Sequence, residues 1–146
     1  MNEPTTEAAF IEALADINAE CFTSDDKYSS VANLSYWMNR GDLHALTIKK
    51  GRRIIAFILY RDEGEHLESI RRGVATAYRG KGYGVKISKK LTALARRTGK
   101  SIYTYVSRSN MPSLNSNLKC GWRITDITDH WVHIVYKVKR DATTKN

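Results

Sequence analysis

The chain has 146 residues, 42% of them hydrophobic, and a formal net charge of +9 at pH 7. That length suits one domain with a real core, and no apolar stretch is long enough to cross a membrane. Cys21 and Cys120 lack metal-ligand spacing and the density of a disulfide framework, and Met1-Asn2-Glu3-Pro4 opens no signal peptide, so a reduced, cytoplasmic setting is expected.

Thr5 or Thr6 can cap a first helix, in which Phe10, Leu14, Ile17 and Cys21 recur at helical spacing. A polar stretch, Thr23 to Tyr28, ends it. Ser29 or Ser30 can cap a second, short helix carrying Val31, Leu34 and Met38, with Gly41 in a C′ position. Three strands are then predicted. The first begins at Leu43 and turns at Lys50-Gly51-Arg52. The second, Ile54 to Tyr60, is almost unbrokenly apolar, as in a central strand covered on both faces. After the turn Asp62-Glu63-Gly64-Glu65, the third runs from Leu67 to Ala75.

A glycine-rich run, Arg79-Gly80-Lys81-Gly82-Tyr83-Gly84, follows that strand and opens a third helix. Gly84, Ile87, Leu91, Leu94 and Ala95 form its inner face; Lys86, Lys89, Lys90, Arg96, Arg97 and Lys100 lie mostly outside. Another strand spans Ile102 to Val106, and a short helix spans Asn110 to Lys119, ended by Cys120-Gly121. Trp122 to Ile127 and Trp131 to Val138 form a last strand pair. The order is ααβββαβαββ, a mixed α/β fold in one domain over 1–140, with a frayed tail over 141–146.

The glycine-rich run points to chemistry. Backbone N–H groups at a helix N-terminus have no intrahelical partner, and the helix dipole is positive there, so the place suits phosphate. Glycines let the anion come close. The spacing does not fit a P-loop, because Gly73 lies too far upstream of Gly80-Lys81. It does not fit a dinucleotide fingerprint either, because Val85 stands where the third glycine belongs and no acidic residue lies about twenty residues on. The net positive charge favours anionic partners in general, and the basic face of the third helix makes nucleic acid one of them.

What remains is Arg-x-x-Gly-x-Gly. It resembles the pyrophosphate loop of the GNAT superfamily of acyl-CoA-dependent N-acetyltransferases. Two further places carry the resemblance. Val74 lies five residues before Arg79, and Asn110 with Ser113 and Gly121-Trp122 is similar to the family's Asn-x-x-Ala … Gly-Phe segment. With the element order, the resemblance spans nearly the whole chain. It implies the GNAT fold, with the strands Leu67–Ala75 and Ile102–Val106 splayed apart, and acetyl-CoA as cosubstrate with no metal. It also implies that Arg72 and Val74 offer their main chain to the pantetheine arm, with Gly73 between them in the cofactor site. Arg79, Gly80, Lys81, Gly82, Tyr83 and Gly84 would hold the pyrophosphate, and Asn110 and Ser113 would complete the cofactor site. The acceptor would be a primary amine: a protein Lys or N-terminus, a small metabolite amine or an aminoacyl-tRNA, with the basic surface favouring an anionic macromolecule. No membrane partner is implied, and the chain would act as monomer or homodimer.

The resemblance also assigns roles. Glu68 lies eleven residues before Arg79, where some histone-acetylating members carry their general base. The Val74 N–H would stabilise the thioester oxygen. Where many members place a general-acid Tyr, four residues before the terminal Gly, this chain has Asn117. Asn can hydrogen-bond the sulfur but cannot end as a stable anion. Tyr103 and Tyr105 could substitute, although their alternation also suits packing. The alternative reading is a non-catalytic acyl-CoA- or nucleic-acid-binding module on the same fold. His130 and His133, three apart in a strand, point to opposite faces and make no metal pair.

Overall fold

The computed structural model describes residues 6–22 and 26–139. The frayed tail expected over 141–146, the cap at Thr5 and part of the polar stretch after the first helix lie outside them. In chain order the elements are α1 (Thr6–Cys21), α2 (Ser30–Asn39), β1 (His44–Lys50), β2 (Arg53–Asp62), β3 (His66–Val74), a 3-10 turn (Thr76–Tyr78), α3 (Tyr83–Thr98), β4 (Ser101–Ser107), α4 (Met111–Lys119), β5 (Arg123–Ile127) and β6 (Trp131–Tyr136). The 3-10 turn is the one element the periodicity does not show.

Six strands form one mixed sheet in the order β1-β2-β3-β4-β6-β5, antiparallel throughout except for β3 against β4. Helices cover both faces. This is why β2 is apolar along its length: Ile54 to Leu59 are all buried. Ile55, Phe57 and Leu59 pack with Leu14 of α1 and Leu34 of α2. Ala56 and Ile58 pack on the other side with Ile87 and Leu91 of α3, Leu114 of α4 and Trp122. Burying one such Leu, Ile or Phe side chain contributes about 1.5–3 kcal/mol, so these two layers hold β2 as the fixed centre on which β3 hangs.

Polar groups finish the inner faces. Trp122 Nε1 donates to Thr92 Oγ1 at 2.8 Å, and Thr92 Oγ1 donates to Ser88 O at 2.8 Å. Ser88 and Thr92 are therefore buried on the inner face of α3, between the expected apolar positions.

The sheet divides between β3 and β4. They pair at only three rungs, His66 with Ser101, Leu67 with Ile102 and Glu68 with Tyr103, and then part. Where the ladder stops, the buried Thr104 hydroxyl donates to Ser69 O at 2.8 Å and takes over the role of a rung. On the other edge of β3, Leu59 faces Arg71 and Tyr60 faces Ser69, so Ile70 is left over as a β-bulge. Beyond the bulge Phe57 faces Gly73, and the Ala75 N–H donates to Ile55 O at 2.8 Å. Alternate residues of an antiparallel pair turn their backbone groups away from the partner. Arg72 and Val74 therefore present theirs to the edge that β4 has left. The splayed strands implied by the resemblance are these two.

Candidate active site

The glycine-rich loop lies at the mouth of this opening. Gly80 and Gly82 have φ of 75° and 88°, a left-handed backbone that favours glycine, and Gly82 is the N-cap of α3. The first backbone donor of the helix to find a carbonyl is Lys86 N–H, on Gly82 O. Among the described residues the N–H groups of Gly80, Lys81, Gly82, Tyr83, Gly84 and Val85 make no hydrogen bond within the protein. Six free donors at one helix N-terminus form an anion cradle. Arg79 is different. Its N–H donates to Thr76 O and its Nε to Val74 O at 3.0 Å, so the free run begins one residue later. That contact, with Cys21 Sγ donating to the same carbonyl at 3.4 Å, occupies Val74 O and leaves the Val74 N–H as the group offered to the opening.

From the cradle a cleft of about 730 Å³ runs along β3, lined by Gly80, Gly82, Gly84, Val74, Gly73 and Arg72 on one side and by Asn110, Ser113 and Ser116 of α4 and its cap on the other. Gly84 allows the close approach of the two helices: a Cβ there would lie 3.3 Å from Ser116 Oγ. A second cleft of about 270 Å³ occupies the wedge between β3 and β4, with Ser69, Thr104, Tyr105 and the exposed Trp131 in its lining. Phe22, Arg72, Asn110 and Ser113 belong to both linings, so the clefts meet there. A long anionic ligand in the first and a second molecule in the other would face each other across that junction.

Arg72 dominates the junction electrostatically. Its Nη1 donates to Ser88 Oγ at 2.5 Å and to Asn117 Oδ1 at 2.6 Å; its Nη2 donates to Ser113 O at 3.1 Å and to Ser113 Oγ at 2.7 Å. All four acceptors are neutral, and no carboxylate pairs with it among the described residues. Burial pushes its pKa down to about 10. Arg71 beside it is held quite differently, by Asp26, by Asn18 Oδ1 at 3.3 Å and over the Phe22 ring at 4.2 Å.

The structure distributes the other predicted residues unevenly. Asn110 is the N-cap of α4, its Oδ1 accepting from Ser113 N–H at 3.3 Å. Asn117 is buried, lines the wedge and gives its oxygen to Arg72. Lys81 is exposed beside the Tyr78 ring, and Tyr83 packs edge-on against the same ring. Glu68 lines neither cleft. It stands on the last paired rung below the wedge, 3.4 Å from Arg61 Nη1. Its ion-pair partner is therefore Arg61. Tyr103 donates to Glu63 Oε1 at 2.7 Å, and burial together with that bond pushes its pKa up. Tyr105 stacks on His133 and lines the wedge. Among the described residues no group of three or more His, Cys, Asp or Glu is placed to hold a metal.

Sequence reasoning missed two parts of the site. Ser88 gives the guanidinium an anchor on α3, but a serine among apolar positions looks like a gap in the stripe. Phe22 walls both clefts from one residue beyond α1, where periodicity has ended.

With this geometry in view, the chain compares clearly with known proteins. The acetyltransferase (GNAT) family profile matches residues 11–122. No curated protein sequence matches. Among solved structures, PaiA N-acetyltransferase from Thermoplasma acidophilum, in complex with coenzyme A, superposes with a TM-score of 0.76 at 17% identity, covering 89% of this chain and 94% of that one. YncA, a putative acetyltransferase from Salmonella typhimurium with acetyl-CoA, gives 0.74 at 17%, covering 92% of each. The ribosomal-protein-S18-alanine N-acetyltransferase from Escherichia coli gives 0.75 at 14%, covering 100% of this chain and 97% of that one. At such identities the likeness is one of fold, but the family profile spans more than half of the sequence, cradle and α4 included: the chain belongs to the GNAT acetyltransferase family.

Proposed function

We propose that the protein is an acetyl-CoA-dependent N-acetyltransferase acting on a primary amine by direct attack in a ternary complex. The observation that carries this reading is two sets of unpaired backbone groups in one cleft: six N–H groups at the N-terminus of α3, and the Val74 N–H with the edge of Arg72 in the splay. A pyrophosphate with an amide-bearing arm matches those two sets in charge and in hydrogen-bond complement. Two of the structural relatives carry coenzyme A or acetyl-CoA, which agrees with it.

Gly80 to Gly84 hold the diphosphate, and the main chain of Arg72 and Val74 aligns the arm, with Gly73 lining the cleft between them. Acetyl-CoA, when bound, supplies an activated acyl group on a thiol leaving group. The Val74 N–H faces the thioester oxygen; one such donor can contribute about 2.7–4 kcal/mol to the barrier. The acceptor amine enters the wedge between Phe22, Tyr105 and Trp131. Among the described residues no acidic side chain lines either cleft. The amine proton passes to Glu68 through water, since Glu68 stands one residue before the wedge residue Ser69 but on the other face of β3, paired with Arg61, and lines neither cleft itself. The acceptor is a primary amine on a protein, a small metabolite or an aminoacyl-tRNA.

The test is release of free thiol from acetyl-CoA with a panel of these three acceptor classes, read by a thiol reagent. Acceptor-dependent release, with the acetylated amine found by mass spectrometry, is the expected result. Tight acetyl-CoA binding with no release on any acceptor would instead make the chain a binding module on this fold.

A further inference from the structure

The mostly buried guanidinium at the junction of the two clefts lacks a counter-ion, and the family's usual acid is replaced by the residue that holds it. We propose that Arg72 stabilises the thiolate that leaves coenzyme A, with Asn117, Ser113 and Ser88 positioning its side chain. The inference rests on the acetyl-transfer reading above.

Three observations converge. First, a buried charge needs compensation, and Arg72 receives only neutral oxygens from Ser88, Ser113 and Asn117. The cation is fixed in place and left electrically unanswered, as a site for a transient anion requires. Second, those four bonds occupy Nη1 and Nη2 and leave Nε–H without a protein partner. No buried side-chain nitrogen or oxygen among the described residues lacks one. The Nε–H therefore reaches open space, and the open space at Arg72 is the two clefts. Third, the reacting atoms must sit where the cofactor cleft meets the acceptor wedge, because transfer needs both within contact. Arg72, Phe22, Asn110 and Ser113 mark that place, and only Arg72 among them is charged.

The chemistry balances without a proton donor. The amine nitrogen bonds to the acetyl carbon, the C–S bond breaks with its electron pair on sulfur, and one amine proton leaves through water to Glu68. Arg72 pairs with the anion and keeps its proton, since a pKa of about 10 still exceeds the ordinary thiol value of about 8.5. This gives Asn117 a reason. A Tyr at this position would have to act itself, whereas Asn117 is buried and spends its oxygen on Nη1.

The decisive experiment uses coenzyme A alone, with no acceptor and no turnover. Binding is measured by calorimetry, and the thiol of the bound molecule is titrated by its ultraviolet thiolate absorbance. An adjacent guanidinium should lower its pKa by about one to three units, a tenfold or greater rise in the thiolate-to-thiol ratio at neutral pH. Arg72→Gln should bind coenzyme A through the cradle and lose the shift. Asn117→Asp keeps the oxygen on Nη1 but adds the missing counter-charge, so it should also lose the shift; a merely structural Asn117 would not show this. Should Arg72→Gln fail to fold, Asn117→Asp decides on its own. Binding with an unshifted thiol, or a shift that survives in a folded variant of either kind, overturns the role of Arg72. No binding of coenzyme A to the wild type overturns the acetyl-transfer reading, and this inference with it.

Discussion

Replacing Gly73 by Ala should destabilise the protein by about 1–2 kcal/mol, and the magnitude can be worked from its neighbours. Gly73 is buried in β3 and has no positive φ, so its backbone conformation does not demand glycine. By itself the change would stabilise by about 0.4–1 kcal/mol, because alanine has less freedom to lose on folding. Space is what opposes it. An added Cβ would lie 2.5 Å from Phe57 Cε1, 2.8 Å from Cys21 Sγ and 3.0 Å from Phe57 Cζ. Carbon contacts are optimal near 3.5–4.0 Å, so the ring must retreat by about 1 Å. Phe57 is fully buried with Leu14, Leu34 and Leu59 and has nowhere to go. Overpacking of this kind costs about 1–3 kcal/mol, leaving the net loss given above. At about 2–4 °C per kcal/mol for a chain of this size, thermal unfolding should begin about 2–8 °C lower. Calorimetry measures it. Adding Phe57→Leu should make the combined loss smaller than the sum of the two single losses, because the clash is then relieved. A midpoint equal to or above that of the wild type would refute the argument and show that β3 can shift away from β2.

Two further outcomes follow from the site. Glu68→Gln should lower turnover at pH 7 by about 10²-fold, the low end for a general base, because the proton travels through water; an unchanged rate would leave deprotonation of the amine to solvent. Stability should fall in acid through Asp26. Burial alone would raise its pKa, but the Arg71 hydrogen bond, the Tyr28 N–H and the Ser29 hydroxyl outweigh that and hold it below the ordinary carboxylate range. A depressed folded-state pKa contributes stability above the unfolded value and loses it as pH falls from about 4 towards the folded value. Asp26→Asn should therefore be less stable at neutral pH and show a shallower loss below pH 4, read by denaturant unfolding; parallel profiles would show that the pair with Arg71 contributes nothing.

The elements were legible wherever one period ran unbroken. β2 announced itself by six apolar residues in a row, α3 by its basic outer face, and the cradle by glycines placed after a strand and before a helix. The site was harder, and the bulge at Ile70 shows why. In an unbroken strand Glu68 and Arg72, four apart, share a face. The extra residue reverses that relation. Leu67, next to Glu68, belongs to the core beneath α3 and α4, which places Glu68 on the opposite face with Arg61. Arg72 instead reaches Ser88 of α3 and Asn117 of α4. Nothing in Glu-Ser-Ile-Arg-Arg signals a bulge, because it arises from pairing with β2 and not from local preference. The same holds for Ser88 and Thr92. Their burial depends on partners, Arg72 and Trp122, that are distant in sequence.

The central claim is that the cradle at the N-terminus of α3 binds acetyl-CoA, and the most direct test is the thermal midpoint with and without it, in the wild type and in Gly82→Glu. Glutamate at φ 88° would be strained and would bring a negative charge to the donors. At a concentration one hundred times its dissociation constant, acetyl-CoA should stabilise the wild type by about 2.7 kcal/mol, a rise of about 5–10 °C. That rise should vanish in a folded Gly82→Glu variant. No shift in the wild type at millimolar acetyl-CoA, or an equal shift in both proteins, would contradict the account.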